Sequence, residues 1–159
     1  VGSARAMRDA IAASGLKPRD VTFINAHGTA TPTNDTVESR VVRDIFGDYR
    51  VPLTSLKGAI GHCMGAASAI EAVSCVLSIV HGVIPPTLNF ETLDPVCDVD
   101  VVTAATSCDV DVVLNNSLAF GGYDAVVTFA KPGHLPEPYA DIELHAGDDD
   151  SDDQAEHEG

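Results

Sequence analysis

The sequence predicts an α/β layered domain with a mixed sheet and a buried central helix. Three observations carry this. Amphipathic stretches and short apolar runs follow one another in the order α-β-α-β-α-β-β-β. Small residues are plentiful in a 45% hydrophobic chain without tryptophan, which suits close packing of helices on a sheet. Glycine or proline also punctuates most junctions between these segments. The 159 residues suffice for one domain with a real core.

Taken in order, Ser3–Ser14 reads as a helix with Ala6, Met7, Ala10, Ile11 and Ser14 on one face. Gly15 ends it, and Pro18 lies just beyond. Val21–Ile24 is a short buried strand, and a loop carrying His27 follows. A second helix is expected from about Asn34–Asp35, where Asp35 and Glu38 have the spacing of a capping box. Val37, Val41, Val42 and Ile45 form its stripe, and Gly47 stops it. Val51–Ser55 is the next strand.

Gly61–His62 is then expected to open a third helix running to about His81. It is alanine-rich and apolar nearly all round, hence buried. Gly82 ends it, and Pro85–Pro86 forces extended chain. Asp98–Thr103 reads as a strand suited to an edge, and Val110–Asn116 as another. Ala119–Gly122 is a tight turn, and Ala125–Ala130 the last strand. No internal repeat is visible.

The domain is expected to span residues 1–132, with residues 133–159 an acidic, disordered tail. Nine acidic residues and no Lys or Arg lie from Asp141 onward, so most of the net charge of −15 sits there. The remaining body is only mildly acidic. No clustered basic surface is left for phosphates, which argues against a nucleic-acid partner.

The cysteines are Cys63, Cys75, Cys97 and Cys108. They form no C-x-x-C pair and no zinc spacing, so free thiols in a reducing cytoplasm and no metal are expected. The most apolar stretch, Ala66–Val80, is interrupted by Ser68, Glu71, Ser74 and Ser78. It falls short of the roughly 18–20 unbroken residues of a bilayer span. No secretory leader is visible. The chain opens on Val1 and not Met, the mark of processing or of a fragment.

Several polar residues stand out, and each also has a plain structural reading. His27, before Gly28 in a loop after a strand, can be a general base, a hydrogen-bond donor or a metal ligand, or merely structural. Thr29 and Thr31 put hydroxyls on one side of that loop, for a substrate arm or to close a turn. His62 is expected at a helix N-terminus, where the dipole disfavours imidazolium and favours a neutral donor. Lys57 lies in a mostly apolar stretch. If buried it needs a carboxylate, for which Glu38 is the candidate. The turn at Phe120, Gly121 and Gly122 offers backbone N–H groups for an oxyanion, or simply a hairpin.

Together these residues are far more specific. Asn25-Ala26-His27-Gly28-Thr29-Ala30-Thr31, Asp35, Glu38, Lys57, Gly61-His62 with Gly65-Ala66-Ala67, and Asn116-Ser117 with Phe120-Gly121-Gly122 resemble the C-terminal half of a β-ketoacyl-acyl-carrier-protein synthase of the elongating type II class. The resemblance runs from about Val1 to Lys131. The intervals of 30 residues from His27 to Lys57 and 35 to His62 agree with it.

It implies a thiolase-like fold of two similar halves, of which this chain holds one. It implies decarboxylative Claisen condensation of malonyl-carrier protein with an acyl group held on a cysteine, in fatty acid or polyketide synthesis. His27 and His62 would bind the malonyl thioester oxygen, and Lys57 would pair with Glu38. Thr29 and Thr31 would bond the phosphopantetheine arm, and Phe120 would gate the site with its N–H in the oxyanion hole. Asp35, Glu38, Gly121 and Gly122 would support these groups. No cofactor is implied, since the substrate rides on the phosphopantetheine of acyl carrier protein. The implied partners are that carrier protein, the missing N-terminal half, and a second copy in a homodimer. No membrane is implied.

The departures matter. The family's nucleophilic cysteine lies in the half absent here, and none of the four cysteines matches it. The chain alone is therefore expected to be inactive. Ala119 replaces a glycine, which stiffens the backbone before Phe120. Tyr123-Asp124 departs from the usual pair after the glycines, and the acidic tail has no counterpart. A non-catalytic subunit resembling a chain-length factor is the alternative, and retained histidines count against it. An unrelated α/β binding domain, with a metal on His27, His62 and Cys63, is the third reading.

Overall fold

The computed structural model describes residues 2–119 and 121–135. Phe120 and the tail from residue 136 lie outside the described residues. The elements are α1 (Gly2–Ala13), β1 (Phe23–Asn25), α2 (Pro32–Phe46), β2 (Pro52–Thr54), α3 (Lys57–Ile60), α4 (Ala67–His81), β3 (Val83–Ile84), β4 (Asp100–Val101), β5 (Thr106–Ser107), β6 (Val112–Ala119) and β7 (Tyr123–Ala130). Single turns of 3-10 helix add Pro18–Asp20 and Met64–Ala66.

Five strands form a mixed sheet in the order β4-β2-β1-β6-β7. The first four run parallel, and β7 returns antiparallel to β6. β4 is at an edge, as its sequence suggests. β1 is central, with Ile24 opposite Leu53 on one side and Leu114 on the other.

A central parallel strand is covered on both faces, so β1 is buried throughout without alternation. Its successive side chains still part to opposite sides. Ile24 and Leu114 join Met7, Ile11, Val41, Val42 and Phe46 in the core under α1 and α2. Phe23 and Val113 join Cys75, Ile84 and Val110 under α4. The layered α/β expectation with a mixed sheet holds. β3 and β5 pair as a separate antiparallel ribbon that the sequence did not announce.

Three local expectations need correction. α2 starts at Pro32 behind Thr31, not at Asn34–Asp35, because proline at the first helical position has its φ preset and no N–H to satisfy. Glu38 closes no capping box on this helix. The third helix does not run unbroken from Gly61. α3 ends at Gly61 (φ 73, ψ −177), and α4 begins only at Ala67.

Nor is α4 buried all round. Ala67, Glu71, Cys75 and Ser78 form its buried face, while Ile70, Val73, Val76, Leu77 and Val80 are 39–68% exposed. A contiguous apolar face of this kind marks a contact surface. The chain expressed alone is accordingly expected to self-associate. Val73→Lys with Leu77→Lys should shift it toward monomer in sedimentation velocity; an unchanged profile would mean the face stays solvated by itself.

Candidate functional site

The site gathers at the carboxyl ends of β1, β2 and β6, where ligands lie in open α/β sheets. β1 ends on Asn25, and the loop after it carries His27. β2 ends on Thr54, and the chain turns through Ser55 and Leu56 into α3, whose first residue is Lys57. His62 follows in irregular chain between α3 and α4. The two imidazoles meet edge to face, with centroids 5.6 Å apart and planes at 86°. Residues 35 apart in sequence are thus brought together.

His62 does not sit at a helix N-terminus, so the dipole argument does not apply to it. A local contact instead orients its ring. Its Nδ1 accepts the Met64 N–H at 3.1 Å, which leaves the proton on Nε2. That nitrogen is then a donor. His27 is half-buried, and its pKa is lowered from 6.5 to about 4. Burial is the main cause, followed by the Lys57 ammonium and then by His62. A neutral His27 at ordinary pH follows.

Lys57 is buried and does have a carboxylate partner, but that partner is Glu71 on α4, not Glu38. The lysine side chain is 5% exposed and the glutamate 2%. Burial raises the Glu71 carboxyl above the ordinary range, and the Lys57 hydrogen bond and charge oppose that rise. Among the described residues, Oε2 of Glu71 has no hydrogen-bond partner.

Glu38 has a different duty. It accepts the backbone N–H groups of His27 (2.8 Å) and Gly28 (2.9 Å), and the side-chain amides of Asn116 (3.0 Å) and Asn34 (3.3 Å). It therefore fixes the loop that carries His27. Apart from Asn34, its partners lie outside α2, in the His27 loop and on β6, which is why no capping pattern could announce them.

The remaining expected residues fall nearby. The hydroxyls of Thr29 and Thr31 lie 2.9 Å apart on the same loop, with Ala30 between them at φ 57. Asp35 accepts the Asn34 amide at 3.0 Å. Gly121 and Gly122 have φ 82 and 81 in the β6–β7 hairpin, a region where a side chain is strained. Phe120, expected beside them, is outside the described residues.

Sequence reasoning missed Glu71, although it is the single acidic residue in the apolar run of α4. It also missed a polar ladder. Asn25 Nδ2 donates to Asn115 Oδ1 at 2.8 Å, and Asn115 Nδ2 donates to the Ser68 carbonyl at 3.3 Å. Ser117 and Ser68 hydroxyls add a bond at 2.8 Å. The strand bearing the His27 loop is thereby tied to the start of α4.

A cavity of about 770 Å³ opens beside Thr29, Lys57 and His62 and runs under the segment 87–94. The thiols offer no ready nucleophile here. Cys75 is pushed up to about 12, chiefly by burial and then by Glu71. Cys97 is buried, and Cys63 Sγ faces the carbonyls of Ile60 and Gly61 at 3.9 Å. Among the described residues, no three of His, Cys, Asp and Glu gather as a metal-binding group.

The sequence and fold are similar to those of known proteins. The chain belongs to the β-ketoacyl synthase family: residues 1–91 match the beta-ketoacyl synthase C-terminal domain. It is 43% identical over 133 residues to 3-oxoacyl-[acyl-carrier-protein] synthase 2 of Synechocystis sp. (strain ATCC 27184 / PCC 6803 / Kazusa), covering 82% of this chain and 32% of that protein.

Two solved structures are also similar. One is the ishigamide ketosynthase/chain length factor, at 44% identity and TM-score 0.80 over 82% of this chain and 33% of that one. The other is a type II PKS acyl-carrier protein in complex with its ketosynthase bound to the hexaketide, at 34% identity and TM-score 0.77 over 80% and 32%. The chain thus spans about a third of the length of the relatives it matches.

Proposed function

We propose that this chain supplies the malonyl-binding side of a condensing site, within a longer β-ketoacyl-acyl-carrier-protein synthase. The observation that carries it is the His27–His62 pair, two imidazoles converging from separate loops with His27 held neutral. Two imidazole N–H donors aimed at one thioester oxygen favour the moment when that oxygen takes on negative charge.

The bond to the malonyl carboxylate breaks, carbon dioxide leaves, and its electron pair passes into the thioester as an enolate. The enolate carbon then attacks an acyl thioester on a cysteine outside this chain, and the cysteine leaves as thiolate. Lys57 lowers the pKa of His27 through its charge, and Glu71 holds Lys57 in place. Thr29 and Thr31 bond the phosphopantetheine arm, and Phe120 gates the site. Asp35, Glu38, Gly121 and Gly122 support these groups. No cofactor is required, because the carrier protein brings the substrate.

The same reading assigns the exposed apolar face of α4 to the missing N-terminal half, in a cytoplasmic homodimer. Met64–His81 has the length and mean hydropathy (1.5) of a membrane span. However, α4 turns a charged residue, Glu71, toward the sheet and ties its start to β6, as a helix between two protein layers does.

The test is the full-length enzyme. It is expected to release carbon dioxide from malonyl-carrier protein and to extend an acyl-carrier protein by two carbons. A non-catalytic partner resembling a chain-length factor is the second reading, favoured by the similarity to a ketosynthase/chain length factor pair. Glutamine in place of the cysteine at the nucleophile turn, with no condensation, would establish that reading over the first.

A further inference from the structure

A segment outside both histidine loops is locked onto the turn between Lys57 and His62. α3 is a single turn, closed by the Gly61 N–H on the Lys57 carbonyl at 2.9 Å. If the helix continued, the His62 N–H would come next and bond the Gly58 carbonyl. Instead Gly61 turns away, and Asn89 Nδ2 donates to the Gly58 carbonyl at 2.8 Å. A side-chain amide thereby takes the place that the His62 backbone would hold.

The fit around this bond is specific. Asn89 has φ 60, a left-handed conformation that asparagine tolerates better than most residues. A Cβ on Gly58 would lie 2.2 Å from the Leu88 carbonyl oxygen, so the two backbones touch. Thr87 anchors the same segment to the sheet. Its N–H donates to the Val102 carbonyl at 2.8 Å, and its Oγ1 accepts the Ser55 N–H at 3.0 Å. Residues 87–89 therefore clamp the start of α3 at both ends.

We infer that Asn89 is a positioning residue for His62: by capping the Gly58 carbonyl it ends α3 before His62 and leaves that residue free to set its ring against His27. Without the amide, the Gly58 carbonyl is an open acceptor at a helix end. The helix then extends by one residue, His62 turns with it, and the Met64 N–H contact to Nδ1 is lost. Asn89 itself touches no reacting atom in this scheme.

The activity part of this inference rests on the condensing reading, and the geometric part does not. Two variants of the full-length enzyme test it. Asn89→Gly keeps the left-handed backbone and removes the amide. Asn89→Asp keeps the shape but sets an acceptor against the Gly58 carbonyl. Both are expected to lower kcat for malonyl decarboxylation by about tenfold or more, because misplaced donors act mainly on the transition state, with KM little changed. Crystals of either should have the His62 N–H on the Gly58 carbonyl and the two imidazoles apart.

A variant with lower thermal stability, unchanged kcat and an intact imidazole pair would overturn the inference. Should one variant not fold, the other decides by the same two readouts. If the unaltered enzyme does not decarboxylate malonyl-carrier protein, the condensing reading fails, and the crystals alone still decide whether Asn89 sets His62.

Discussion

Glu71→Ala in the full-length enzyme is expected to lower stability by about 3–5 kcal/mol, the range for breaking a buried ion pair from one side. The Lys57 and Glu71 side chains are 5% and 2% exposed, so removing the carboxylate leaves a largely buried ammonium without its partner. The cost comes mostly from that stranded charge, because the intact pair is itself only partly satisfied: among the described residues Oε2 of Glu71 has no hydrogen-bond partner.

The double variant Lys57→Met with Glu71→Leu separates the two contributions. Apolar side chains of similar size should restore most of the stability, as buried pairs are often neutral against such replacements. They should not restore the pH dependence of the chemistry. Without the Lys57 charge, one of the causes that lower the His27 pKa is gone, so protonation of His27 moves up toward its ordinary range. Calorimetry of the single variant checks the first claim, and an unchanged Tm would refute it. The acid limb of the double variant's decarboxylation profile checks the second, by moving to higher pH.

This pair also marks where sequence reasoning stops. That Lys57 could be buried was legible from its apolar surroundings, although an exposed surface residue was the plainer reading. Its partner was not legible. Glu71 is 14 residues away on another helix, and only the turn between α3 and α4 brings it to Lys57. In sequence it looks like an interruption of an apolar run. Glu38 misled for the opposite reason. Its spacing from Asp35 imitates a local cap, while its partners are the His27 loop and Asn116 on β6.

The larger elements were legible because their signals are periodic and repeated. The stripe Val37, Val41, Val42, Ile45 fits only a helix, and it faces the sheet core. The two-residue strands β3 and β5 have no period to read. The break at Gly61 is a conformational choice at one residue, and the apolar composition of α4 hid it. For α4 itself, composition gave the hydrophobicity but not which face meets this sheet and which meets something else.

His27→Ala is expected to reduce malonyl decarboxylation by the full-length enzyme about 100- to 10,000-fold, the range for losing a positioned proton-bearing group. The alanine variant should bind acyl groups normally, because the assigned role is confined to the malonyl step. The pH profile gives a sharper check. His27 acts as the neutral imidazole in this scheme, and its pKa is lowered from 6.5 to about 4. The acid limb it causes should therefore lie near pH 4, and the rate should not fall between pH 7 and pH 5.5 on its account.

Stability carries the same signature with a definite sign. Between pH 6.5 and about 4 the unfolded chain takes up a proton at this position that the folded chain refuses. Folding stability should accordingly fall as pH drops through that window, and the His27→Ala variant should lose less over it than the unaltered protein. His27 is half-buried, so solvent screening keeps the difference modest, but its direction is fixed. An acid limb near the ordinary histidine value that disappears in His27→Ala would place a protonatable imidazole there and remove the neutral-donor role. Normal decarboxylation by the alanine variant would remove His27 from the chemistry altogether.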